Sequence, residues 1–199
     1  MIHALVPAAG HSTRMGRPKL SLPLGDRTVI EQVVRTLREA IDQVLVVVGP
    51  HVAELVPLAE KAGAATLLLE HETPDMRATI ERGLAWIETR HHPTSADFVL
   101  LVPADHPALD AQVIRNLLAV DSPRDIRIPT FQGKRGHPTL IGWRHVAAIR
   151  ALPSNAGLNT YLRSVPAEVL EVPVDFASIL LDLDTPEDYA KICAPRVPS

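Results

Sequence analysis

An α/β fold is predicted, a three-layer sandwich with a mostly parallel central sheet. Short aliphatic runs recur along the chain, and segments of helical period separate them. Turn residues fall between the two kinds of segment. With 46% hydrophobic and 22% charged residues, the composition is that of an ordinary globular protein.

Residues 2–6 are apolar and end in a glycine-rich turn, which reads as a buried first strand. Residues 28–40 carry Val29, Ile30, Val33, Val34 and Leu37 at the spacing of an amphipathic helix. The β-branched run Gln43–Val48 stops at Gly49-Pro50 and reads as a strand. Residues 51–62 are expected to be helical, with Gly63 as the C-terminal glycine. Residues 65–69 give a strand, 76–90 a long helix and 98–102 another strand. Further on, Ala111–Ala119 reads as helix, 126–130 as strand, and 143–151 and Leu158–Ser164 as helices. Residues 169–172 and 179–183 read as late strands, and 185–192 as a closing helix with Pro186 in its first turn. No repeat or domain boundary is visible, so the expectation is a single domain over residues 1–199.

The formal charge of −3 gives no global bias toward nucleic acid or anionic membrane. The lone Cys193 has no disulfide partner, and no Cys/His spacing is typical of zinc. No run approaches the ~20 apolar residues that span a bilayer. The first residues lack the features of an export signal, and a reducing, cytoplasmic setting is expected.

Ligands of such sheets bind at the carboxyl ends of the strands. Directly after the first strand comes Ala8-Ala9-Gly10-His11-Ser12-Thr13-Arg14-Met15-Gly16-Arg17-Pro18-Lys19. Small residues let backbone N–H groups approach a phosphate, and Arg14, Arg17 and Lys19 supply cations with nothing acidic among them. The spacing is neither that of Walker A nor that of a dinucleotide fingerprint. The segment reads as a triphosphate cradle or, more plainly, as a surface loop with solvated cations.

Asp105 lies just past the fourth strand, where a Mg2+ ion bridging phosphates would be held. Asp182 and Asp184 precede the closing helix, and strand alternation would put both on one face. Asp184 reads equally well as the N-cap of that helix. The run 133–138, with Gly136 and His137, is either a clamp for an anionic acceptor or a hairpin turn. The remaining histidines, His91 and His92 among them, read as surface residues.

Ala-Ala-Gly-x-Ser-x-Arg-Met-Gly-x-Pro-Lys-Leu resembles the signature of the MobA-like nucleotidyltransferase superfamily, most closely its molybdenum cofactor cytidylyltransferase branch. The likeness continues at Leu22-Pro-Leu-Gly25 and recurs at 75–83, 105–107, 135–138 and 182–189. It implies a Rossmann-like three-layer sandwich of the nucleotide-diphospho-sugar transferase type and a Mg-dependent nucleotidyl transfer that releases pyrophosphate. Ala8, Ala9, Gly10, Arg14, Gly16 and Lys19 match the nucleotide loop, with Arg14 and Lys19 on its phosphates. Thr79 and Gly83 match contacts to base and ribose, although Asp75 replaces a usual glycine and Arg77 a usual small residue. Asp105 and Asp184 match the metal site, with Asp182 as a second choice, and Lys19, Arg14 and Asp105 are the implied catalytic set. Gly136, His137 and His106 match the acceptor side; His106 stands where Gln is usual.

Alanines at 8 and 9, rather than the guanylyl branch's glycines, lean toward CTP. The implied acceptor is molybdopterin, with a molybdoenzyme or cofactor-pathway protein as partner. A sugar 1-phosphate or another cofactor precursor is the alternative acceptor, and a non-catalytic nucleotide-binding accessory protein the alternative class.

Overall fold

The computed structural model describes residues 1–153 and 156–193. The first strand, β1 (Ile2–Ala8), is flanked by strands on both sides. Its side chains alternate between two cores, Ala4, Val6 and Ala8 entering one and Leu5 the other. A strand buried on both faces is what its continuous apolar run encodes.

A small hairpin of β2 (Pro23–Leu24) and β3 (Arg27–Thr28) leads into α1 (Val29–Arg38). Thr28 Oγ1 accepts from Glu31 N while Glu31 accepts from Thr28 N, a capping box that starts this helix. Then come β4 (Gln43–Val48), α2 (Leu55–Lys61) and β5 (Ala65–Leu68). The helix α3 (Met76–His91) returns the chain across the sheet to β6 (Phe98–Leu101). After α4 (Ala111–Ala119) follow β7 (Ile126–Phe131), β8 (Lys134–Arg135) and β9 (Thr139–Gly142). Helices α5 (Val146–Arg150) and α6 (Leu158–Ser164), strand β10 (Val169–Pro173) and helix α7 (Pro186–Cys193) complete the described chain.

The eight-stranded sheet runs β10-β7-β9-β6-β1-β4-β5, with β8 attached to β7. Only β8 and β9 run antiparallel to their neighbours; the other pairs in this sheet are parallel. Helices α1, α2 and α4 pack on one face, and α3, α5 and α6 on the other. This is the predicted three-layer α/β sandwich. No described helix is long and apolar enough to cross a membrane.

Two differences from the sequence reading matter for the site. Residues 179–183 are not a strand: Ala177–Leu180 is a 3-10 turn, and the chain beyond it is extended but unpaired in any ladder. Its backbone is instead satisfied by single bonds, His137 N to Ile179 O (3.0 Å) and Leu183 N to Asp105 O (2.9 Å). The antiparallel strand β9, four residues long, was not foreseen at all; it fills the gap between β6 and β7.

The reading of the remaining histidines as surface residues is also corrected, because His3 and His145 are buried. His3 lies against the rings of His91 and Trp143, and its Nε2 has no hydrogen-bond partner among the described residues. Burial first, and then the neighbouring His91, lowers its pKa from 6.5 to about 4. With the folded value depressed, the unfolded chain takes up this proton first as the pH falls from 6.5 toward 4, so stability declines over that window. The isosteric-leaning variant His3→Phe should lose less stability than the parent between those two pH values, by on the order of 1 kcal/mol. Urea denaturation midpoints measured across the window check this; parallel pH curves for the two proteins count against it.

Candidate active site

The sheet order reverses at β1. From it the chain first builds outward through β4 and β5, then crosses back to β6 on the other side. A crevice at the carboxyl ends of β1 and β6 follows from that reversal. The glycine-rich loop after β1 and Asp105 after β6 both lie there.

The loop is anchored by its apolar residues and leaves its polar ones outside. Met15, Leu20 and Leu22 are buried, which fixes both ends of the segment. Between them a 3-10 turn, Thr13–Met15, is closed by Gly16 N donating to Thr13 O (3.2 Å), with Gly16 at φ 66°. That left-handed angle is the reason for a glycine at this position. Gly10 has open space around it, so nothing bars a ligand from its backbone. Ser12 Oγ accepts from Lys19 N (3.2 Å) and draws the loop's two arms together.

Lys19 is the centre of the site. Its Nζ lies 2.6 Å from Asp105 Oδ2 and 3.1 Å from Asp184 Oδ1. Arg14 reaches the other oxygen of Asp184 at 3.0 Å. Together with Ala8, Gly10 and Met76 these side chains line a cleft of about 140 Å³. Arg17 is elsewhere, with its guanidinium over the Tyr189 ring.

Asp184 is free for this role because it is not the cap of α7. Thr185 Oγ1 accepts from Asp188 N (3.2 Å), and Asp188 in turn accepts from Thr185 N (3.1 Å). The capping box uses Thr185, so Asp184 is not the cap.

Asp182 goes its own way. Since the segment is not a strand, alternation does not align it with Asp184. It pairs instead with Nε2 of His106, and this contact is the main reason its pKa is lowered. His106 is buried, 1% exposed, and its ring is paired with Asp182. His137 meets the His106 ring edge-on at 5.1 Å. Desolvation, and then the neighbouring His106, lowers the His137 pKa. Asp182 borders a larger cleft of about 760 Å³, shared with Pro107, Phe176 and Ser178.

The 133–138 run forms a hairpin turn. Lys134–Arg135 pairs antiparallel to β7 as β8, and Gln132 and Gly133 both have positive φ. Arg135 is engaged by Glu171 at 2.8 Å. Gly136 is required by a close approach: a Cβ there would lie 2.4 Å from Ile179 O. Its neighbour His137 is thereby brought to the site.

The 75–83 stretch divides. Asp75 caps α3, accepting from Ala78 N at 2.8 Å. Thr79 is buried and turned toward Thr73 Oγ1 at 2.6 Å. Gly83 faces the sheet, where a Cβ would meet Leu5 Cδ1 at 2.4 Å and Val47 Cγ2 at 2.9 Å. Neither residue is among those that line the Lys19 cleft, and Gly83 serves the packing of α3 on the sheet. Met76, which the sequence reading passes over, is the residue of this stretch that lines the cleft. A methionine at a helix start gives no signal by itself.

Residues 4–169 match the model of the MobA-like NTP transferase domain. The molybdenum cofactor cytidylyltransferase of Escherichia coli (strain K12) is 23% identical over 192 residues, covering 94% of this chain and 93% of that one. A probable molybdenum cofactor guanylyltransferase of Carboxydothermus hydrogenoformans is 28% identical over 197 residues, covering 93% and 91%. Among solved structures, the homologue of Mycobacterium tuberculosis Rv0371c from Mycobacterium sp. strain JC1 superposes with a TM-score of 0.80. It is 26% identical, with 96% of this chain and 94% of that chain covered. The sandwich is of the nucleotide-diphospho-sugar transferase type.

The placement of Gly83 carries a prediction. Gly83→Ala should destabilise the fold by about 1–3 kcal/mol through overpacking against Leu5 and Val47. Nucleotide affinity per folded molecule should stay within about twofold of the parent. Chemical denaturation and calorimetric titration with nucleotide separate the two effects.

Proposed function

The chain belongs to the MobA-like NTP transferase family and is a nucleotidyltransferase, and we propose that it transfers CMP from CTP to a molybdopterin-type phosphorylated acceptor. The observation that carries the reading is the convergence of Lys19, Asp105 and Asp184 at the mouth of the glycine-rich loop.

Asp105 and Asp184 offer hard carboxylate oxygens, which fit Mg2+ alongside phosphate and water. Bound there, the ion supplies charge neutralisation to the polyphosphate. The rest is done by the chain's own residues. Backbone N–H groups around Gly10 face the phosphates, and Lys19 and Arg14 balance their charge. A phosphate nucleophile is already ionised near neutral pH, so no strong general base is required. What remains is in-line alignment at the α-phosphorus: the acceptor oxygen forms its bond as the bond to pyrophosphate breaks, and pyrophosphate leaves with the electron pair. The larger cleft beside Asp182 is where the acceptor is proposed to lie.

Support for CTP comes from Ala8 and Ala9. They stand where the guanylyl-transferring branch carries glycines. The accessory-protein reading loses its motive, since Asp75 is occupied as a helix cap and Arg77 binds backbone carbonyls remote from the loop.

Pyrophosphate release should therefore require acceptor and Mg2+ and proceed faster with CTP than with GTP, UTP or ATP. Lys19→Ala and Asp105→Asn should each lower kcat by about 100- to 1,000-fold while the protein stays folded. Turnover with a sugar 1-phosphate in place of molybdopterin moves the acceptor assignment, and a GTP preference moves the base. Nucleotide binding without turnover across the acceptor panel would refute the enzyme itself.

A further inference from the structure

The eight-stranded sheet ends at β10 on one side and at β5 on the other, and the two edges are finished differently. Backbone groups on a free edge can pair with another chain, and folds usually blunt them. At β10, Val174 N donates to Thr130 O (2.9 Å), so Val169, Glu171 and Pro173 turn their backbone outward. That edge is blunted twice: Pro173 has no N–H to offer, and Val169 O accepts from Arg124 Nη1 at 3.4 Å.

Strand β5 carries no such device. Leu69 N donates to Val48 O (2.9 Å), so Thr66 and Leu68 turn their N–H and C=O groups to the free edge. Among the described residues nothing hydrogen-bonds these outward groups. The strand, Ala-Thr-Leu-Leu, contains neither proline nor charge, and Leu68 is 49% exposed. Beside it runs an open groove of about 670 Å³ between β5 and α3, lined in part by Leu67, Ala85 and Trp86.

The charges at the two ends of this groove are self-complementary. Ala65 and Trp86 border a small cavity together with His3 and Gln43, so the start of β5 lies beside the last turns of α3. At that end the Arg90 guanidinium sits over the Trp86 ring, 4.6 Å from its centroid. Glu70 follows β5 at the opposite end. Among the described residues Arg90 has no carboxylate partner and Glu70 has no cation.

We propose that this edge is the interface of a homodimer, in which the β5 strands of two copies pair antiparallel about a two-fold axis and join the two sheets into one. The outward residues dictate the register. Thr66 of one copy exchanges hydrogen bonds with Leu68 of the other, and the two Leu67 side chains lie opposite each other. Reversal of the strand brings Glu70 of each copy to the end where the other carries Arg90, so both unpaired charges gain partners. A two-fold interface needs self-complementarity of this kind, and a partner of unrelated sequence gives no reason for it. Because the strands reverse, the two Lys19 clefts open at opposite ends of the joint sheet, and each stays complete within its own chain.

Sedimentation equilibrium of the full chain, from sub-micromolar to hundreds of micromolar, tests the assembly. A reversible monomer–dimer equilibrium is expected, with amide exchange at Thr66 and Leu68 slower above the Kd than below it. Leu68→Pro removes one outward N–H and leaves the ladder to β4 intact, and it should raise the Kd by more than about tenfold. Leu68→Lys should do the same. Glu70→Arg and Arg90→Glu should each raise the Kd by about three- to tenfold, since each change occurs twice per dimer. The double exchange should return the Kd to within about twofold of the parent. Leu68, Glu70 and Arg90 are exposed, so the charge variants keep the fold if Leu68→Pro does not. Glu171→Lys, on the β10 edge, should leave the equilibrium unchanged. A monomer at every concentration, a dimer indifferent to both Leu68 variants, or dissociation by Glu171→Lys overturns the proposal. So does a double exchange that fails to restore a dimer weakened by both single reversals, because the two-fold register is then wrong.

Discussion

The arrangement of the site depends on one ammonium group held between two carboxylates. Lys19, Asp105 and Asp184 come from the first, middle and last parts of the chain, with sequence separations of 86 and 165 residues for the two pairs. A lysine head that is largely withdrawn from water is costly unless it is paired. Here two carboxylates compensate it, and Arg14 balances the second of them. The geometry is not left to flexible side chains. Leu183 N donates to Asp105 O, and the Leu183 side chain is fully buried, so the backbones that carry Asp105 and Asp184 are joined directly. The carboxylate pair is therefore part of the packed structure, and the loop lysine docks onto it.

Such pairing has a chemical consequence. Charges that neutralise each other across a cleft are poised for exchange: under the proposed function a polyphosphate competes for Lys19 and Arg14 while a divalent cation competes for the aspartates, and the two arriving together leave no charge unpaired. A cleft lined by cations alone would bind phosphate but would offer nothing to a metal. This balance lets the same few residues serve as a structural clasp and, in the proposed function, as the nucleotide site.

Much of this was legible in the sequence, for identifiable reasons. Strands β1, β4 and β6 are buried on both faces, so they read as unbroken apolar runs. The loop after β1 is defined by local features, small residues and closely spaced cations. What escaped is long-range. Ile179-Leu180-Leu181 is apolar like a strand, but Leu181 is 45% exposed and Ile179 is buried as the stop against Gly136. Strand β9 is short and ends at Gly142, where Asp125 presses so closely that no side chain would fit. Neither fact has a local signature. Likewise, Asp184 as cap or ligand was undecidable until Thr185 was seen to take the cap. The contacts of His11 and His51 with Glu72 join residues from three loops that only the sheet order brings together.

Arg77 shows how a residue that breaks a family's local pattern can be consistent with its fold. Placed at the first turn of α3, a cation is unfavourable to the helix dipole and closer to the nucleotide side than a small residue would be. Its guanidinium, however, turns away from the loop and toward the end of α5. There it donates to the carbonyls of Arg150, Leu152, Pro153 and Ala156, while its Nε pairs with Glu81 at 2.8 Å. A helix end leaves carbonyl oxygens without partners, and a forked donor can satisfy several at once. Beneath this connection lies an apolar cavity of about 200 Å³ lined by Met76, Leu101, Ile141 and Leu158. Met76 also lines the Lys19 cleft. A loop that covers an apolar cavity gains little from its own backbone, so a bond network from the neighbouring helix is what holds it there. The charge that departs from the family's pattern thus ties α3 to the chain after α5 on the same face of the sheet, next to Met76, which lines both cavities.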